Sequence, residues 1–165
     1  MKQKKDYKFL FAVAIGIAVF YFIAISSSNP LPVASISNEG FVKVDVRLAG
    51  NALQFSSECF TVTMNIHEIQ ALSIKNGLDN RIDVRPLTHD MLREIMDNFN
   101  IRVAEVRIES FENEIYKAKT FLQQGSKLLD IDTRPSDAVG IAVRTNASIY
   151  FNRQLLESKG VNTCR

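Results

Sequence analysis

The sequence DIDTRPSDA, at residues 130–138, predicts a strand that ends where a helix begins. Asp130 and Asp132 lie two residues apart on the predicted strand, so they share one face about 6.8 Å apart at Cα. Pro135 then fixes φ, and a short polar side chain follows where the helix amides need a cap. Arg134 adds a cation beside helix N–H groups that carry partial positive charge, which predicts an anion site.

A second Arg-Pro pair precedes another predicted helix, in the sequence RPLTHD at residues 85–90. Thr88 suits the cap position of this helix, and Leu87 and Leu92 would form a hydrophobic staple across it. Arg85 stands beside this helix start as Arg134 stands beside the other. The two segments hold most of the candidate chemistry in the chain.

Alternating and helical spacings of apolar residues predict the other elements. Strands are predicted at 42–48, 60–66, 101–108, 115–122, 127–132 and 148–151, and helices at 67–77, 89–99, 136–145 and 153–159. Asn113 and Gly125 mark turns between the middle strands. There is no regular βαβ alternation, so the predicted class is α+β: a single compact domain of mainly antiparallel strands with three to four helices, preceded by one transmembrane helix. The domain is predicted at 41–161, with a tail at 162–165.

Apolar residues are expected to form the buried faces of the first three helices. The predicted faces consist of Ile69, Leu72 and Ile74 in the first helix, Met91, Leu92, Ile95, Met96 and Phe99 in the second, and Ala138, Val139, Ile141, Ala142 and Val143 in the third.

The N-terminal region predicts membrane attachment. Residues 9–25 form a run of 17 uncharged residues, at the lower edge of the roughly 17–25 that span a bilayer. Residues 1–8 carry four lysines against one acid, and the linker at 26–40 has no lysine or arginine. The positive-inside rule therefore predicts a single-pass membrane protein with a basic cytoplasmic tail and the domain outside the cytoplasm. A cleaved signal peptide is the alternative, but its apolar stretch is about 7–15 residues, which favours an uncleaved signal anchor.

Charge and cysteine content limit the choice of function. Without the four lysines and one aspartate before Ser26, the chain holds 16 basic and 17 acidic residues, a net charge of −1. Domains that hold nucleic acid through phosphate contacts usually carry a basic excess, which counts against that function. Cys59 and Cys164 are too few for a disulfide framework. The sequence leaves open whether these two cysteines pair.

From Val42 to Val161 the chain resembles the bifunctional nuclease domain family. The resemblance rests on EIQA at residues 68–71, RPLTHDML at 85–92, DIDTRPSDA at 130–138 and ASIY at 147–150. It implies an α+β domain that forms a homodimer or higher homo-oligomer, with a nuclease activity on RNA and DNA. The membrane anchor is not part of the shared domain.

The residues of the two motifs suit phosphodiester hydrolysis, which needs an activated water, stabilisation of charge on phosphorus and often divalent metals. Oxygen ligands for Mg²⁺ or Mn²⁺ are available from three aspartates, and one histidine could move protons. The predicted metal ligands are Asp130, Asp132 and Asp137; the predicted catalytic residues are His89, Asp90, Asp132 and Asp137; and the predicted phosphate-binding residues are Arg85 and Arg134.

Each of these residues also has a purely structural explanation. Asp137 in a first helical turn stabilises the helix dipole, and Arg134 could form an ion pair with Asp130 or Asp132. Three hypotheses follow: a metal-assisted nuclease, a non-catalytic oligomerisation or interaction module, and a binder of small anionic ligands at the two helix termini. The composite catalytic site requires His89 and Asp132 to reach one pocket.

Overall fold

Nine strands and four helices lie within residues 36–164 of the computed structural model, which describes residues 13, 15 and 36–164. In chain order they are β1 (Phe41–Lys43), β2 (Asp45–Ala49), β3 (Ala52–Ser57), β4 (Phe60–Asn65), α1 (Glu68–Leu78), α2 (Thr88–Asn98), β5 (Arg102–Glu112), β6 (Ile115–Gln124), β7 (Lys127–Thr133), α3 (Pro135–Thr145), β8 (Ser148–Asn152), α4 (Arg153–Lys159) and β9 (Val161–Asn162). The α+β class is confirmed.

Two mainly antiparallel sheets contain all of these strands. One has the order β1-β8-β5-β6-β7 and the other the order β2-β3-β4-β9. Only the β5–β8 pair is parallel among the described strands. Asn113 and Gly125, at φ 51° and 58°, turn the chain between β5, β6 and β7 as predicted.

The prediction of one strand at 42–48 is wrong, because the chain changes sheets at Val44. Lys43 pairs with Tyr150 in the larger sheet, whereas Asp45 pairs with Ser56 in the smaller sheet. Val44 itself is 5% exposed and donates its N–H to the Ile149 carbonyl at 3.0 Å. The alternation of apolar residues continues through this change, so it could not reveal the break.

The predicted apolar faces of α1 and α2 are also largely wrong. In α1, Ile69 and Leu72 are exposed, and the buried residues are Ala71, Ser73, Ile74, Asn76 and Gly77. In α2 only Met96 is buried, whereas Met91, Leu92, Ile95 and Phe99 are exposed. These two helices face α3 with small and polar residues, which let helices approach closely. The face predicted for α3 is confirmed, with Val143 half-buried.

One apolar core joins the sheets and the helices. Phe55 of the smaller sheet and Phe151 of the larger sheet are fully buried and contact each other edge to face, with ring centroids 5.5 Å apart. Ile74 of α1 and Val139 of α3 belong to the same cluster. The two sheets and the helices therefore share one hydrophobic core.

The two cysteines form a disulfide, which answers the question that the sequence left open. Cys59 lies in the turn between β3 and β4, and Cys164 lies beyond β9. The Thr163 amide also donates to the Cys59 carbonyl at 2.7 Å. The C-terminal end of the domain is thus fixed covalently to the smaller sheet.

The predicted transmembrane segment at 9–25 lies outside the described residues, apart from Val13 and Ile15. Both of these residues are helical. Among the residues that the structure describes, no helix combines the length and the apolar character needed to cross a membrane.

Candidate active site

His89 lies where the first three helices meet. It is the second residue of α2, and its imidazole lies between a serine of α1 and a carboxylate of α3. Its Nδ1 is 2.9 Å from the Ser73 hydroxyl oxygen, and its Nε2 is 3.8 Å from Asp137 Oδ1. The side chains of His89 and Asp137 are 17% and 31% exposed. The imidazole therefore lies between α1 and α3 and remains partly exposed to solvent.

A glycine in α3 makes room for the imidazole. A Cβ atom at Gly140 would lie 2.9 Å from both Cε1 and Nε2 of His89, closer than such atoms approach. The ring thus lies directly against the backbone of α3. Any side chain at position 140 would have to displace it.

Arg134 and Asp137 form a two-point ion pair at the start of α3. Arg134 Nε lies 2.6 Å from Asp137 Oδ2, and its Nη2 lies 3.1 Å from Oδ1. Arg134 is the N-cap residue of α3, and its side chain is 71% exposed. A guanidinium has five N–H donors, so three of them remain available to a substrate. Asp137 therefore orients both the arginine and the histidine.

Asp90, next to His89, points to a different partner. Its Oδ1 accepts from Arg144 Nε at 2.6 Å, and its Oδ2 accepts from the Leu87 amide at 2.8 Å, which caps α2. The side chains of Asp90 and Arg144 are only 8% and 3% exposed. Burial alone would raise the pKa of Asp90, but the hydrogen bonds from Arg144 and Leu87 outweigh it and hold that pKa below its ordinary value.

The surroundings of His89 favour its neutral form. Burial is the largest cause that lowers the pKa of His89, followed by the positive charge of Arg144. The charges of Asp137 and Asp90 raise the pKa, and that of Arg134 lowers it further. The net pKa lies below 6.5. A neutral imidazole near pH 7 can accept a proton, which is what a general base requires.

Comparison of the sequence with known proteins identifies its family. The model of the family described as "Bifunctional nuclease domain" matches residues 53–163, more than half of the chain. The chain belongs to the bifunctional nuclease domain family.

Three relatives illustrate the range of this similarity. Bifunctional nuclease 1 of Arabidopsis thaliana is 31% identical over 97 residues, which are 57% of this chain and 30% of that protein. Bifunctional nuclease 2 of Oryza sativa subsp. japonica is 30% identical over 99 residues, or 58% and 30% of the two chains. An uncharacterized protein of Mycobacterium tuberculosis is 32% identical over 77 residues, or 47% and 45%. The chain thus spans less than half the length of these relatives.

In this bifunctional nuclease domain, the predicted site residues fall into separate groups. His89, Asp137 and Arg134 are brought together. Asp90 lies beside them but is occupied by Arg144. Asp130 on β7 pairs with Lys119 of β6 at 2.8 Å, which lowers the pKa of Asp130.

The remaining predicted residues are exposed. Asp132 lies on β7 opposite Lys119, and Arg85 precedes α2. Within 36–164, Asp137 is the carboxylate within salt-bridge distance of His89, and Asp132 is not. Arg134 pairs with Asp137 and with neither Asp130 nor Asp132.

The predicted aspartates do not form a metal-ligand set in the described part of the chain. Across residues 13, 15 and 36–164, no three His, Cys, Asp or Glu side chains form a cluster that could hold a metal ion. Both oxygens of Asp137 face Arg134, and one oxygen of Asp130 faces Lys119.

Three residues of this bifunctional nuclease domain were missed by the sequence interpretation: Ser73, Gly140 and Arg144. Ser73 and Gly140 are small, buried residues on facing helices. Arg144 is a charged residue within the apolar stretch of α3, and a charge in such a position signals a buried partner. That signal was available from the sequence, whereas the identity of the partner was not.

Proposed function

We propose that the domain cleaves phosphodiester bonds of nucleic acid with His89 as the proton-transfer group and Arg134 as the phosphate-binding group. The observation that carries this proposal is the position of the neutral, partly exposed His89 imidazole next to the Arg134–Asp137 pair. The names of the plant relatives support the reaction class.

The proton chemistry follows from the two ring nitrogens of His89. When Nδ1–H donates to the Ser73 hydroxyl, Nε2 carries a lone pair and can accept a proton from water or from a ribose hydroxyl. The imidazolium that results is stabilised by Asp137, 3.8 Å from Nε2. It can then return the proton to the oxygen that leaves phosphorus. Ser73 and Asp137 are positioning residues in this scheme.

Charge stabilisation on phosphorus is assigned to Arg134. Its exposed guanidinium keeps three N–H donors beyond the two that Asp137 accepts. Arginine binds phosphate oxygens through pairs of such donors. Asp132 precedes Arg134 by two residues, and Arg85 precedes His89 by four. The predicted roles of Asp132 in catalysis and metal binding, and of Arg85 in phosphate binding, remain proposals.

Cleavage by the purified full chain tests the proposal. RNA and single-stranded DNA are incubated with wild type, His89→Gln and, as a matched control, His67→Gln, which removes the exposed second histidine. We expect His89→Gln to lose about a hundredfold or more in rate, the usual contribution of a general acid–base group, and His67→Gln to keep it. Equal trace cleavage by wild type and His89→Gln would refute the proposal.

Two further comparisons in the same assay address the phosphate contact and the metal. Arg134→Gln should raise KM more than Arg153→Gln, which removes one exposed arginine on α4. The predicted Mg²⁺ or Mn²⁺ requirement is tested by adding each ion or a chelator. Activity that survives chelation removes the metal from the mechanism, and Asp132→Asn shows whether that carboxylate takes part.

A second proposal, homo-oligomerisation, is supported by the exposed face of α2. Met91, Ile95 and Phe99 recur at four-residue spacing, and their exposed fractions are 54%, 44% and 63%. Contiguous apolar surface of this kind favours association. Analytical ultracentrifugation of the full chain and of Ile95→Lys tests this proposal. A wild type that is dimeric and an Ile95→Lys variant that is monomeric would support an interface between two copies of the chain. A monomeric wild type would contradict it.

We also propose that the domain lies outside the cytoplasm, attached to a membrane through residues 9–25. The Cys59–Cys164 disulfide supports this location, because disulfides persist in oxidising compartments. Membrane fractionation of cells, followed by protease treatment from outside, tests it. A chain in the cytosolic fraction with reduced cysteines would contradict the proposal.

A further inference from the structure

A polar pocket lies along the same three helices and is lined by Asp90, which follows His89 in the sequence. It has a volume of about 250 Å³ and is lined by Asn76 of α1, Arg81 after α1, Asp90 and Arg93 of α2, and Arg144 of α3. This is slightly below the 300 Å³ at which sites for drug-sized ligands begin. The pocket therefore suits a small ion or a single chemical group.

Two buried donors that belong to residues lining this pocket have no acceptor among the described residues. They are Nη2 of Arg144 and Nδ2 of Asn76. The other two nitrogens of Arg144 each make a hydrogen bond: Nε donates to Asp90 and Nη1 donates to the Gly140 carbonyl at 2.8 Å. Buried polar groups are rarely left unpaired, and those that are demand an explanation. Both atoms are donors, so the missing partner must be an acceptor.

Charge identifies the class of acceptor. Arg81, Arg93 and Arg144 line the pocket with three positive charges, against one carboxylate, Asp90. Asp97 lies 3.5 Å from Arg93, so one positive charge remains in excess even when Asp97 is counted. Asn76 Oδ1 already accepts from Arg81 Nη2 at 2.7 Å, which turns its amide nitrogen away from that arginine. The arrangement attracts an anion with several acceptor oxygens.

We propose that this pocket binds a phosphate group, with Arg144, Asn76, Arg81 and Arg93 as its donors. Several guanidiniums around one pocket match the number of oxygens on phosphate better than the two of a carboxylate. The source is either free phosphate or the terminal phosphate of a nucleotide. The proposal does not depend on cleavage by His89. Asn76, Arg81 and Arg93 have no role in the proposed reaction, and Arg144 affects His89 only through its charge.

Isothermal titration of the full chain with inorganic phosphate, adenosine monophosphate and adenosine tests the proposal. We expect saturable binding of inorganic phosphate and none of adenosine. If adenosine monophosphate binds in addition to inorganic phosphate, the pocket accepts the terminal phosphate of a nucleotide. If only inorganic phosphate binds, the ligand is free phosphate. Binding of the monophosphate without inorganic phosphate, or no saturable binding of either at millimolar concentration, overturns the proposal.

Two variants and a control locate the site. Asn76→Leu removes one orphaned donor at similar volume and should weaken phosphate binding about tenfold, the loss expected for a hydrogen bond to a charged group. Arg81→Gln, at an exposed position, should weaken it by a similar factor and remains informative if Asn76→Leu does not fold. Arg153→Gln removes the same charge away from the pocket and should bind as wild type does. Equal losses in all three variants would overturn the assignment.

A spectroscopic readout connects the pocket to Arg144. The charge of Arg144 lowers the pKa of His89, so a phosphate bound to Arg144 should raise the pKa of His89. The chain has two histidines, and His67 serves as the reference signal in a proton NMR titration. Saturable phosphate binding without any displacement of the His89 titration would show that the anion lies elsewhere.

Discussion

Replacing Asp90 with asparagine should destabilise the domain more than any other single-charge change among the ion pairs described above. The carboxylate accepts from Arg144 Nε at 2.6 Å and from the Leu87 amide at 2.8 Å. The asparagine has nearly the same shape but offers one acceptor oxygen in place of two. It cannot neutralise Arg144, whose side chain is 3% exposed.

The size of this effect follows from the burial of the pair. Removing one partner of a buried ion pair typically costs about 3–5 kcal/mol, because the other charge stays buried without compensation. A domain of this size is stable by about 5–15 kcal/mol, so the loss is a large fraction of the total. At about 3 °C per kcal/mol, Tm should fall by about 10 °C or more.

Asp79→Asn is the matched control for this measurement. Asp79 pairs with Lys75 at 2.7 Å on the surface of α1, and the two side chains are 48% and 60% exposed. Exposed pairs contribute about 0–1 kcal/mol, so this variant should stay close to wild type. Urea denaturation of the full chain, with the midpoint and the m value fitted separately, compares the two variants. If Asp90→Asn costs no more than Asp79→Asn, the structural argument is refuted.

The pH dependence of the Asp90 effect has a definite sign. The folded pKa of Asp90 is lowered from 3.8, so its carboxylate stabilises the fold above that pH. The stabilisation is lost as the pH falls from about 3.8 through the lowered folded pKa. The contribution of the Asp90 carboxylate to the difference between wild type and Asp90→Asn should therefore shrink only in strong acid. Because the Asp90 charge also raises the pKa of His89, the difference should grow somewhat as the pH falls below about 6.5.

Three other predictions concern the disulfide and the site. Reducing Cys59–Cys164, which closes a loop of 105 residues, should lower the free energy of unfolding by about 2–4 kcal/mol in a urea titration; an unchanged midpoint would contradict it. Gly140→Ala should gain about 1 kcal/mol of helix propensity but lose a similar amount by crowding the imidazole, so we expect little change in stability together with a displaced NMR signal of His89. Because burial lowers the pKa of His89 below 6.5, the unfolded state takes up the proton first, and wild type should lose stability as the pH falls below about 6.5. His89→Gln should remove that component, and His67→Gln should leave it.

Local periodicity predicted several elements whose partners are adjacent in sequence, but it missed β3, which pairs with both of its neighbours, β2 and β4. The strands predicted at 115–122 and 127–132 appear as β6 and β7, which are joined by the predicted turn at Gly125. The strand predicted at 42–48 failed because alternation specifies which side a residue faces and not which sheet it joins. Val44 keeps the pattern while its neighbours pair with different strands.

The helices show a second reason for failure. Apolar residues were assigned to the buried side of α1, yet Ile69 and Leu72 are exposed and Ser73 and Gly77 are buried. A Cβ at Gly77 would lie 2.5 Å from Val143 Cγ2, so the approach of α1 to α3 requires a residue without a side chain. Where helices pack this closely, size and not hydrophobicity decides which residues are buried.

The candidate site was partly predictable for the same physical reasons. His89, Arg134 and Asp137 stand at helix starts that an Arg-Pro pair marks in the sequence. The cap predicted at Thr88 is wrong, because Leu87 is the N-cap residue of α2 and its amide donates to Asp90. The pairing of Arg134 with Asp137, three residues later, follows from helix geometry once the helix start is known. Ser73 lies 16 residues from His89, and Arg144 lies 54 residues from Asp90. No local pattern encodes contacts over those separations.

The adjacent residues His89 and Asp90 connect the packing of α2 against α3 to the protonation of the His89 imidazole. Asp90 holds Arg144 between α2 and α3, and the charge of Arg144 in turn lowers the pKa of His89. An apolar residue at position 144 could fill the same space without the desolvation cost of a buried ion pair. The arginine is therefore not explained by packing alone. Its charge adds to burial in lowering the pKa of His89, and its side chain lines the pocket proposed to bind phosphate. Arg144 thus has two electrostatic roles that an apolar residue could not perform, and both can be measured on the His89 imidazole.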